Sequence, residues 1–233
     1  MKRFSFRYKE TIVTILTDSE DCYKIAVKAI LEARSEIEEY IALNPEFLTS
    51  YEPIDCHGGE IVSRMCTAAK IAGVGPMAAV AGTIAGYAVE KMIEAGAKIA
   101  VVDNGGDIVI HSDRELVVGI YPSEFALKIP PVEYLAVCTS SGKIGHSVSF
   151  GYADAATVIA ENPSVADALA TALGNEIGDF GREELENVVS RFYSKHSDHV
   201  EGIIVIKDEI MALAGDLPEI VTARSSEDLI TKG

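Results

Sequence analysis

The stretch Lys98-Ile-Ala-Val-Val-Asp-Asn-Gly-Gly-Asp-Ile-Val-Ile-His111 distinguishes an antiparallel from a parallel sheet. Its two halves are short apolar runs rich in β-branched residues, the composition typical of buried strands. Between them stands Asn104-Gly105-Gly106, and Asn-Gly between two strands is a strong hairpin signal. The stretch therefore predicts two antiparallel strands joined by a tight turn. The same glycines would also let a flat ligand lie against bare backbone.

The rest of the chain extends this antiparallel pattern. A second hairpin is predicted where residues 200–206 and 210–214 flank Asp208-Glu209. Further strands are predicted over residues 10–17, 117–121, 135–139 and 155–160, and helices over residues 22–42, 77–95, 164–174 and 183–193. We expect an α/β fold of the α+β type, a largely antiparallel sheet with packed helices, and not a doubly wound parallel sheet. One domain over residues 1–217 would be followed by a loose polar tail, 218–233.

Composition and charge narrow the class of partner. The formal charge of −16 and pI of about 4.7 argue against a nucleic-acid ligand, because phosphate binding needs a basic surface. No apolar run has the length of a membrane span, and the first residues lack a signal-peptide core, so a cytoplasmic protein without a membrane partner is expected. A homo-oligomer stays open.

The cysteines and two histidines predict little chemistry. The four cysteines show no C-x-x-C spacing and are expected to be buried thiols rather than disulfides or zinc ligands. His196 and His199 are expected at the surface.

Two glycines interrupt the helix predicted over residues 77–95. Gly82 and Gly86 would each weaken it by roughly 1 kcal/mol relative to alanine. That cost requires a reason, which is either close packing against another helix or a ligand that approaches the backbone. A glycine-rich turn that leads into a helix N-terminus is also a natural phosphate site.

The helix predicted over residues 164–174 carries two oxygen-bearing side chains on one face. Asp167 and Thr171 are four positions apart and otherwise surrounded by small or apolar residues. Such a pair suits Mg²⁺, which takes one or two protein oxygens and leaves the rest to water and phosphate. The alternative is structural, because Ser164-x-x-Asp167 also fits a capping box. The residues alone leave both interpretations open.

Four motifs occur in a specific order along the chain: Gly82-Thr-Ile-Ala-Gly-Tyr-Ala88, Asp103-Asn-Gly-Gly-Asp-Ile108, Val137-Cys-Thr-Ser-Ser-Gly142 and Ala166-Asp-Ala-Leu-Ala-Thr-Ala172. Together they resemble the ApbE family of magnesium-dependent flavin transferases, and in particular a short branch of it. The resemblance implies a T-fold-like architecture, FAD or a related nucleotide as cofactor, and an acceptor protein as partner.

The resemblance also implies site residues. Asp167, Thr171 and the carbonyl of Ala85 would hold Mg²⁺, and His146 would be catalytic. The flavin nucleotide would lie against a glycine- and hydroxyl-rich set: Gly82, Ala85, Gly86, Gly105, Gly106, Asp107, Thr139, Ser140 and Ser141. One pocket is predicted where several of these residues converge with His146: Gly82, Gly86, Gly105, Gly106, Thr139 and Ser140.

The chain departs from the family pattern in two motifs. The lysine that the family carries between Ala85 and Gly86 is missing, and in the family's His-x-x-Asp-Pro motif, which would begin at His146, the Asp-Pro is replaced by Ser149-Phe150. Two functions therefore stay open. The first is a Mg²⁺-dependent transferase that uses FAD; the second is a non-catalytic ligand-binding or accessory protein, for example in sulfur assimilation.

Overall fold

The computed structural model describes residues 1–142 and 151–222, which form eleven strands, six α-helices and one 3-10 turn. The strands are β1 Lys2–Tyr8, β2 Thr11–Thr17, β3 Ile99–Asn104, β4 Asp107–Ser112, β5 Leu116–Gly119, β6 Phe125–Ile129, β7 Val132–Ser140, β8 Ala155–Ala160, β9 Gly202–Lys207, β10 Ile210–Gly215 and β11 Glu219–Thr222. The helices are α1 Glu20–Leu43, α2 Glu46–Thr49, α3 Glu60–Ala72, α4 Val80–Glu94, α5 Pro163–Glu176 and α6 Arg182–His196, with the 3-10 turn Pro76–Ala79 leading directly into α4.

Eight strands form one antiparallel sheet in the order β1-β2-β3-β4-β7-β8-β9-β10. The predicted antiparallel fold with packed helices is therefore confirmed. The predicted hairpin is tight, because Asn104 pairs with Asp107 and only Gly105 and Gly106 lie between them. Both glycines have positive φ, +71° and +103°, as a turn with two left-handed residues requires.

The large sheet separates two apolar cores. On one face it packs against α1, α4, α5 and α6, and β3 and β4 contribute Val102 and Val109 to that core. On the other face it packs against a small antiparallel sheet of order β11-β6-β5, and the same two strands contribute Val101 and Ile110. Because side chains alternate along a strand, one strand serves both cores. This arrangement places the helices, and with them the candidate site, on one face.

Three strands and one short helix were not predicted, and residues 61–72, which the sequence left open between helix and strand, lie in α3. β1 and β6 interleave charged and apolar residues, and β11 lies at residues 219–222, inside the range assigned to the polar tail. β11 pairs with β6 from Glu219↔Lys128 to Thr222↔Phe125, so its order comes from a long-range partner. Helix α2 lies in a segment expected to be loop.

The cysteines and His196 differ from expectation. Cys56 and Cys66 form a disulfide, with Cα atoms 6.2 Å apart, whereas Cys22 and Cys138 are buried free thiols as predicted. The prediction of free thiols was wrong for Cys56 and Cys66, because the fold brings the loop before α3 onto that helix. His196 is only 5% exposed and packs on Phe192, so its predicted surface position was also wrong.

No single helix in the described residues is both long enough and apolar enough to cross a membrane. Within the same residues, α3 and Pro76–Glu94 pass that test together, as a pair bent by 106°.

Candidate functional site

Helix α5 enters the molecule between β8 and the other helices, and eleven of its residues are buried. Its N-terminus is capped by Asn162, whose side-chain oxygen accepts hydrogen bonds from the amides of Ser164 (3.1 Å) and Val165 (3.2 Å). Pro163 occupies the first helical turn, where its missing amide costs nothing. The capping-box interpretation of Ser164 and Asp167 is therefore wrong, because another residue caps α5.

Asp167 instead caps a different helix. Its Oδ2 accepts a hydrogen bond from the amide of Gly82 at 2.8 Å, in the first turn of α4, and a second bond comes from the amide of Ala81. A carboxylate at a helix N-terminus satisfies free amides and meets the positive end of the helix dipole. Burial raises the pKa of Asp167 to about 7, while these two hydrogen bonds oppose the shift.

Asp107 is a second buried carboxylate close to the first. It opens β4, and its side chain is 8% exposed, as is that of Asp167. Burial raises the pKa of Asp107 well above its ordinary value, and the charge of Asp167 raises it further. Hydrogen bonds from the Cys138 thiol and the Thr139 amide lower it. Oδ1 of Asp107 has no hydrogen-bond partner among the described residues, so the carboxylate is buried and only partly satisfied.

The strand ends around these two acids complete a polar cluster. Asn104 Nδ2 donates to the carbonyl oxygen of Ala81 at 3.2 Å and so ties β3 to the start of α4. Ser140 lies at the end of β7, on the same face as Cys138, and its buried Oγ has no partner in the described part of the chain. We call Asn104, Asp107, Ser140 and Asp167, with the amides of Ala81 and Gly82, the acid cluster.

Thr139 contributes to the acid cluster through its backbone alone. Its side chain points to the opposite face of the sheet, where Oγ1 lies 2.9 Å from Oγ1 of Thr157 on β8. A direct hydroxyl contact from Thr139 to a ligand on the helix face would need a different strand register.

Gly82 and Gly86 are explained by close helix packing, one of the two reasons that the sequence left open. A Cβ on Gly82 would lie 2.4 Å from the carbonyl oxygen of Pro163 and 2.7 Å from Asp167 Cβ. A Cβ on Gly86 would lie 2.4 Å from Pro163 Cγ. The same interface carries a buried hydrogen bond of 2.7 Å from Thr83 Oγ1 to Ser164 Oγ. The glycines thus let α5 approach α4 closely enough for Asp167 to reach the amides.

The structure gives the positions of the other predicted site residues, except His146. Gly106 lies beside the acid cluster, since a Cβ there would be 3.7 Å from the carbonyl oxygen of Thr139. Gly105 is exposed at the tip of the same turn, and Thr171 lies half-buried one turn along α5 from Asp167. Ala85 is fully buried within α4, and Ser141 directly follows β7. Their ligand roles stay predictions. His146 lies outside the described residues, so its role and the pocket that included it stay predictions.

The sequence analysis missed one residue of the acid cluster, Asn104, and one residue beside it, Cys138. Asn104 was assigned only to the hairpin turn, although an amide at the last position of a strand can reach a neighbouring helix. Cys138 was treated as an inert thiol, although it shares β7 with the predicted hydroxyls and pairs directly with Asp107. Two surface cavities of about 440 and 130 Å³ lie elsewhere, the first beside His111 and Pro131, the second beside Phe125 and Met211.

A protein-family model described as AbpE bacteria matches residues 1–221 of the chain. The chain belongs to this family. A UPF0280 protein of Archaeoglobus fulgidus is 77% identical to it over 233 residues, which are 100% of both chains. A UPF0280 protein of Methanothrix thermoacetophila is 49% identical over 243 residues, again covering 100% of both.

Solved structures show the same fold. The flavin transferase ApbE of Vibrio cholerae superposes with a TM-score of 0.54 and 11% identity, covering 92% of this chain and 96% of that chain. The ApbE protein of Thermotoga maritima gives a TM-score of 0.55 and 12% identity, covering 100% of this chain and 99% of that chain. The predicted ApbE-like branch and architecture are therefore confirmed.

Proposed function

We propose that this AbpE-family chain binds Mg²⁺ and FAD, or a related flavin nucleotide, at the acid cluster and transfers an FMN group to an acceptor protein. The observation that carries the proposal is the pair of buried carboxylates Asp107 and Asp167. Their charges repel one another, and one oxygen of Asp107 lacks a partner among the described residues. A cation between or beside them would relieve both costs.

The residues present fit Mg²⁺ better than a transition metal. The described residues contain no group of three or more His, Cys, Asp or Glu that could hold a metal ion. Two carboxylates and the hydroxyls of Ser140 and Thr171 are hard oxygen ligands, and Mg²⁺ is commonly held by one or two carboxylates together with substrate phosphates. We therefore assign Asp167, Asp107 and Thr171 as its candidate ligands, with Ala85 retained from the family resemblance.

The bound cation would neutralise the flavin nucleotide's pyrophosphate and polarise its phosphorus toward attack by an acceptor hydroxyl. The chain's own contribution is positioning. The amides at the start of α4 hold Asp167 in one orientation, and Asn104 fixes that helix end against β3. The bare backbone of Gly105 and Gly106 leaves room for a flat ring system beside the cluster. His146 is retained as the candidate proton carrier from the sequence.

A second function uses the same site without catalysis. The missing family lysine and the missing Asp-Pro after His146 favour a protein that binds the nucleotide for recognition or delivery. The two functions make the same prediction for binding and differ in turnover.

The test is titration calorimetry of FAD into wild type, Asp167→Asn and Asp107→Asn, each with Mg²⁺ or with EDTA. We expect wild type to bind FAD at least tenfold more tightly with Mg²⁺ and both variants to lose this Mg²⁺ dependence. Asparagine keeps the volume and an acceptor oxygen, so Asp167→Asn should still cap α4 and remain folded. Asp113→Asn is the matched control, because it removes one charge at an exposed position beside Arg114.

Equal FAD affinity in every protein, with and without Mg²⁺, would refute the proposed site. Chromatography of the same mixtures, each with a hydroxyl-bearing acceptor peptide added, separates the two functions, because transfer of FMN from FAD to that hydroxyl releases AMP. Mg²⁺-dependent release of AMP from FAD supports catalysis, whereas Mg²⁺-dependent binding without AMP supports the binding protein.

A further inference from the structure

Among the described strands, β1 is an edge of the eight-stranded sheet and pairs with β2 alone. Its outer side therefore presents backbone amides and carbonyls that no described strand pairs, the groups through which an extended peptide can add a strand to a sheet. All seven residues of β1 are exposed or half-buried.

β1 has the opposite charge to the rest of the chain. Residues 1–9 contain four basic side chains and no acidic one, although the whole chain has 36 acidic and 20 basic residues. The two lysines are partly neutralised, since Lys2 lies 3.8 Å from Glu20 and Lys9 lies 2.6 Å from Glu38. Arg3 and Arg7 form no ion pair with any described residue.

The two arginines share one face of β1. Phe4 and Phe6 point toward the helices, where Phe4 stacks on Tyr23 at 4.4 Å and Phe6 packs against the core. Strand alternation then directs Arg3, Ser5 and Arg7 to the opposite face. A guanidinium at each end of this row, four residues apart, is available to a partner strand.

We propose that the edge of β1 binds an extended acidic segment of another protein by strand addition. Acidic side chains four residues apart on that segment would pair with Arg3 and Arg7, while its backbone bonds to the free edge of β1. Cross-strand pairs of opposite charge stabilise a sheet, and like charges destabilise it. The inference does not depend on the acid cluster or on the flavin nucleotide.

A second copy of this chain fits the same edge poorly. Antiparallel pairing of two β1 strands centred on Ser5 would set Arg3 of one copy against Arg7 of the other, in both directions. That arrangement brings four positive charges together, so the edge disfavours pairing with itself.

The probe is a fluorescein-labelled peptide, Thr-Glu-Thr-Val-Thr-Glu-Thr-amide, whose two glutamates have the spacing of Arg3 and Arg7. Fluorescence anisotropy is measured in about 0.15 M NaCl, where charges more than roughly 8 Å apart are largely screened. Arg3→Glu/Arg7→Glu should weaken binding at least tenfold. The matched control, Arg182→Glu/Arg191→Glu, makes the same charge change on α6 near the other sheet edge and should bind within twofold of wild type.

Two further peptides test wild type alone, and so do not depend on how the variants fold. A peptide with lysine in place of both glutamates should bind at least tenfold more weakly. The glutamate peptide with N-methylated backbone amides at its central three residues keeps its charge but loses three hydrogen-bond donors, and it should also bind at least tenfold more weakly.

Several outcomes would overturn the proposal. These are no binding of the glutamate peptide, equal binding of the lysine peptide, equal binding of the N-methylated peptide, or equal loss in both double variants. Sedimentation of wild type alone as a dimer that Arg3→Glu/Arg7→Glu dissociates would assign the edge to a second copy instead.

Discussion

At the scale of single residues, the carboxylate of Asp167 has two roles: it caps α4, and in the proposed site it binds the cation. It belongs to α5 but satisfies amides of α4, so its position depends on the approach of two helices. A cation at the acid cluster would share this carboxylate with the helix end. The local sequence could predict that Asp167 matters, through its spacing from Thr171, but not which helix it caps, because the partner is 85 residues away.

Gly82→Ala tests whether the helix approach needs a bare backbone. The new Cβ would meet the carbonyl oxygen of Pro163 at 2.4 Å, and backbone cannot move aside as cheaply as a side chain. We expect the free energy of unfolding to fall by about 1–3 kcal/mol. Denaturant unfolding measures it.

Gly119→Ala is the control for that change. A Cβ on Gly119 would meet nothing within 4 Å, and Gly119 does not have positive φ, so its substitution should stay within about 0.5 kcal/mol. Equal effects at the two glycines would mean that α4 and α5 are not closely packed.

His196 predicts a dependence of stability on pH. Burial lowers its pKa below the ordinary value of 6.5, and Nε2 has no partner among the described residues. As the pH falls through 6.5, the unfolded chain takes up a proton before the folded one does. His196 therefore contributes stability that is present above about pH 6.5 and is lost at lower pH.

Chemical unfolding at pH 7.5 and 5.5 measures this loss. It should be smaller in His196→Leu than in wild type, whereas the exposed residue His199 serves as control and His199→Leu should behave like wild type. A wild-type loss that His196→Leu leaves unchanged would assign the pH dependence to other groups.

At the scale of elements, the segment between α2 and α3 is held at one point by a covalent bond. The Cys56–Cys66 disulfide closes a loop of 10 residues, and the ion pair between Asp55 and Lys70 at 2.6 Å lies beside it. The ion pair is exposed and contributes little, so the disulfide constrains this loop more strongly than the ion pair does.

Reduction of the disulfide should lower the free energy of unfolding by roughly 2–3 kcal/mol, because the unfolded chain regains the entropy of an open loop of this length. Unfolding with and without dithiothreitol measures the difference. Cys56→Ser should be as stable as reduced wild type and should not respond to the reductant. If dithiothreitol also lowered the stability of Cys56→Ser, the change would come from a disulfide formed by the remaining thiols instead.

Elements with local signals were predictable, and elements ordered by distant partners were not. The β3–β4 hairpin was predictable because its turn contains two glycines, which readily adopt positive φ. Helix α1 was predictable because its apolar residues recur at helical spacing over a long segment, and Ser19 caps its N-terminus. β6 and β11 pair across more than 90 residues of chain, so no local pattern could predict their pairing. The acid cluster was predictable in its residues but not in its contacts, since Asp107 and Asp167 meet through the tertiary fold.

At the scale of the whole molecule, the small sheet encloses the second core and depends on the last described strand. Ile220 packs against that core from β11, and Glu219 lies 3.6 Å from Lys128 on β6. Removing residues 219–233 should lower the free energy of unfolding by at least about 1 kcal/mol through lost apolar burial. Hydrogen exchange should accelerate at Phe125–Ile129.

Removing residues 223–233 alone is the matched truncation. It keeps β11 and should leave both the stability and the exchange of β6 close to those of the full chain. If the two truncated proteins have the same stability and the same hydrogen exchange at β6, then β11 does not stabilise the small sheet, and the domain boundary predicted at residue 217 is correct.

The order of strands in the large sheet also has a kinetic consequence. Along β1-β2-β3-β4-β7-β8-β9-β10, each strand after β1 lies beside the sheet strand that precedes it in the chain, and the other described strands, β5, β6 and β11, form the small sheet. A chain that emerges from the ribosome N-terminus first can therefore add strands at a single growing edge without inserting one between two others. The carboxylates of Asp107 and Asp167 meet only after α5 has been synthesised, so the nascent sheet can form before their mutual repulsion opposes it.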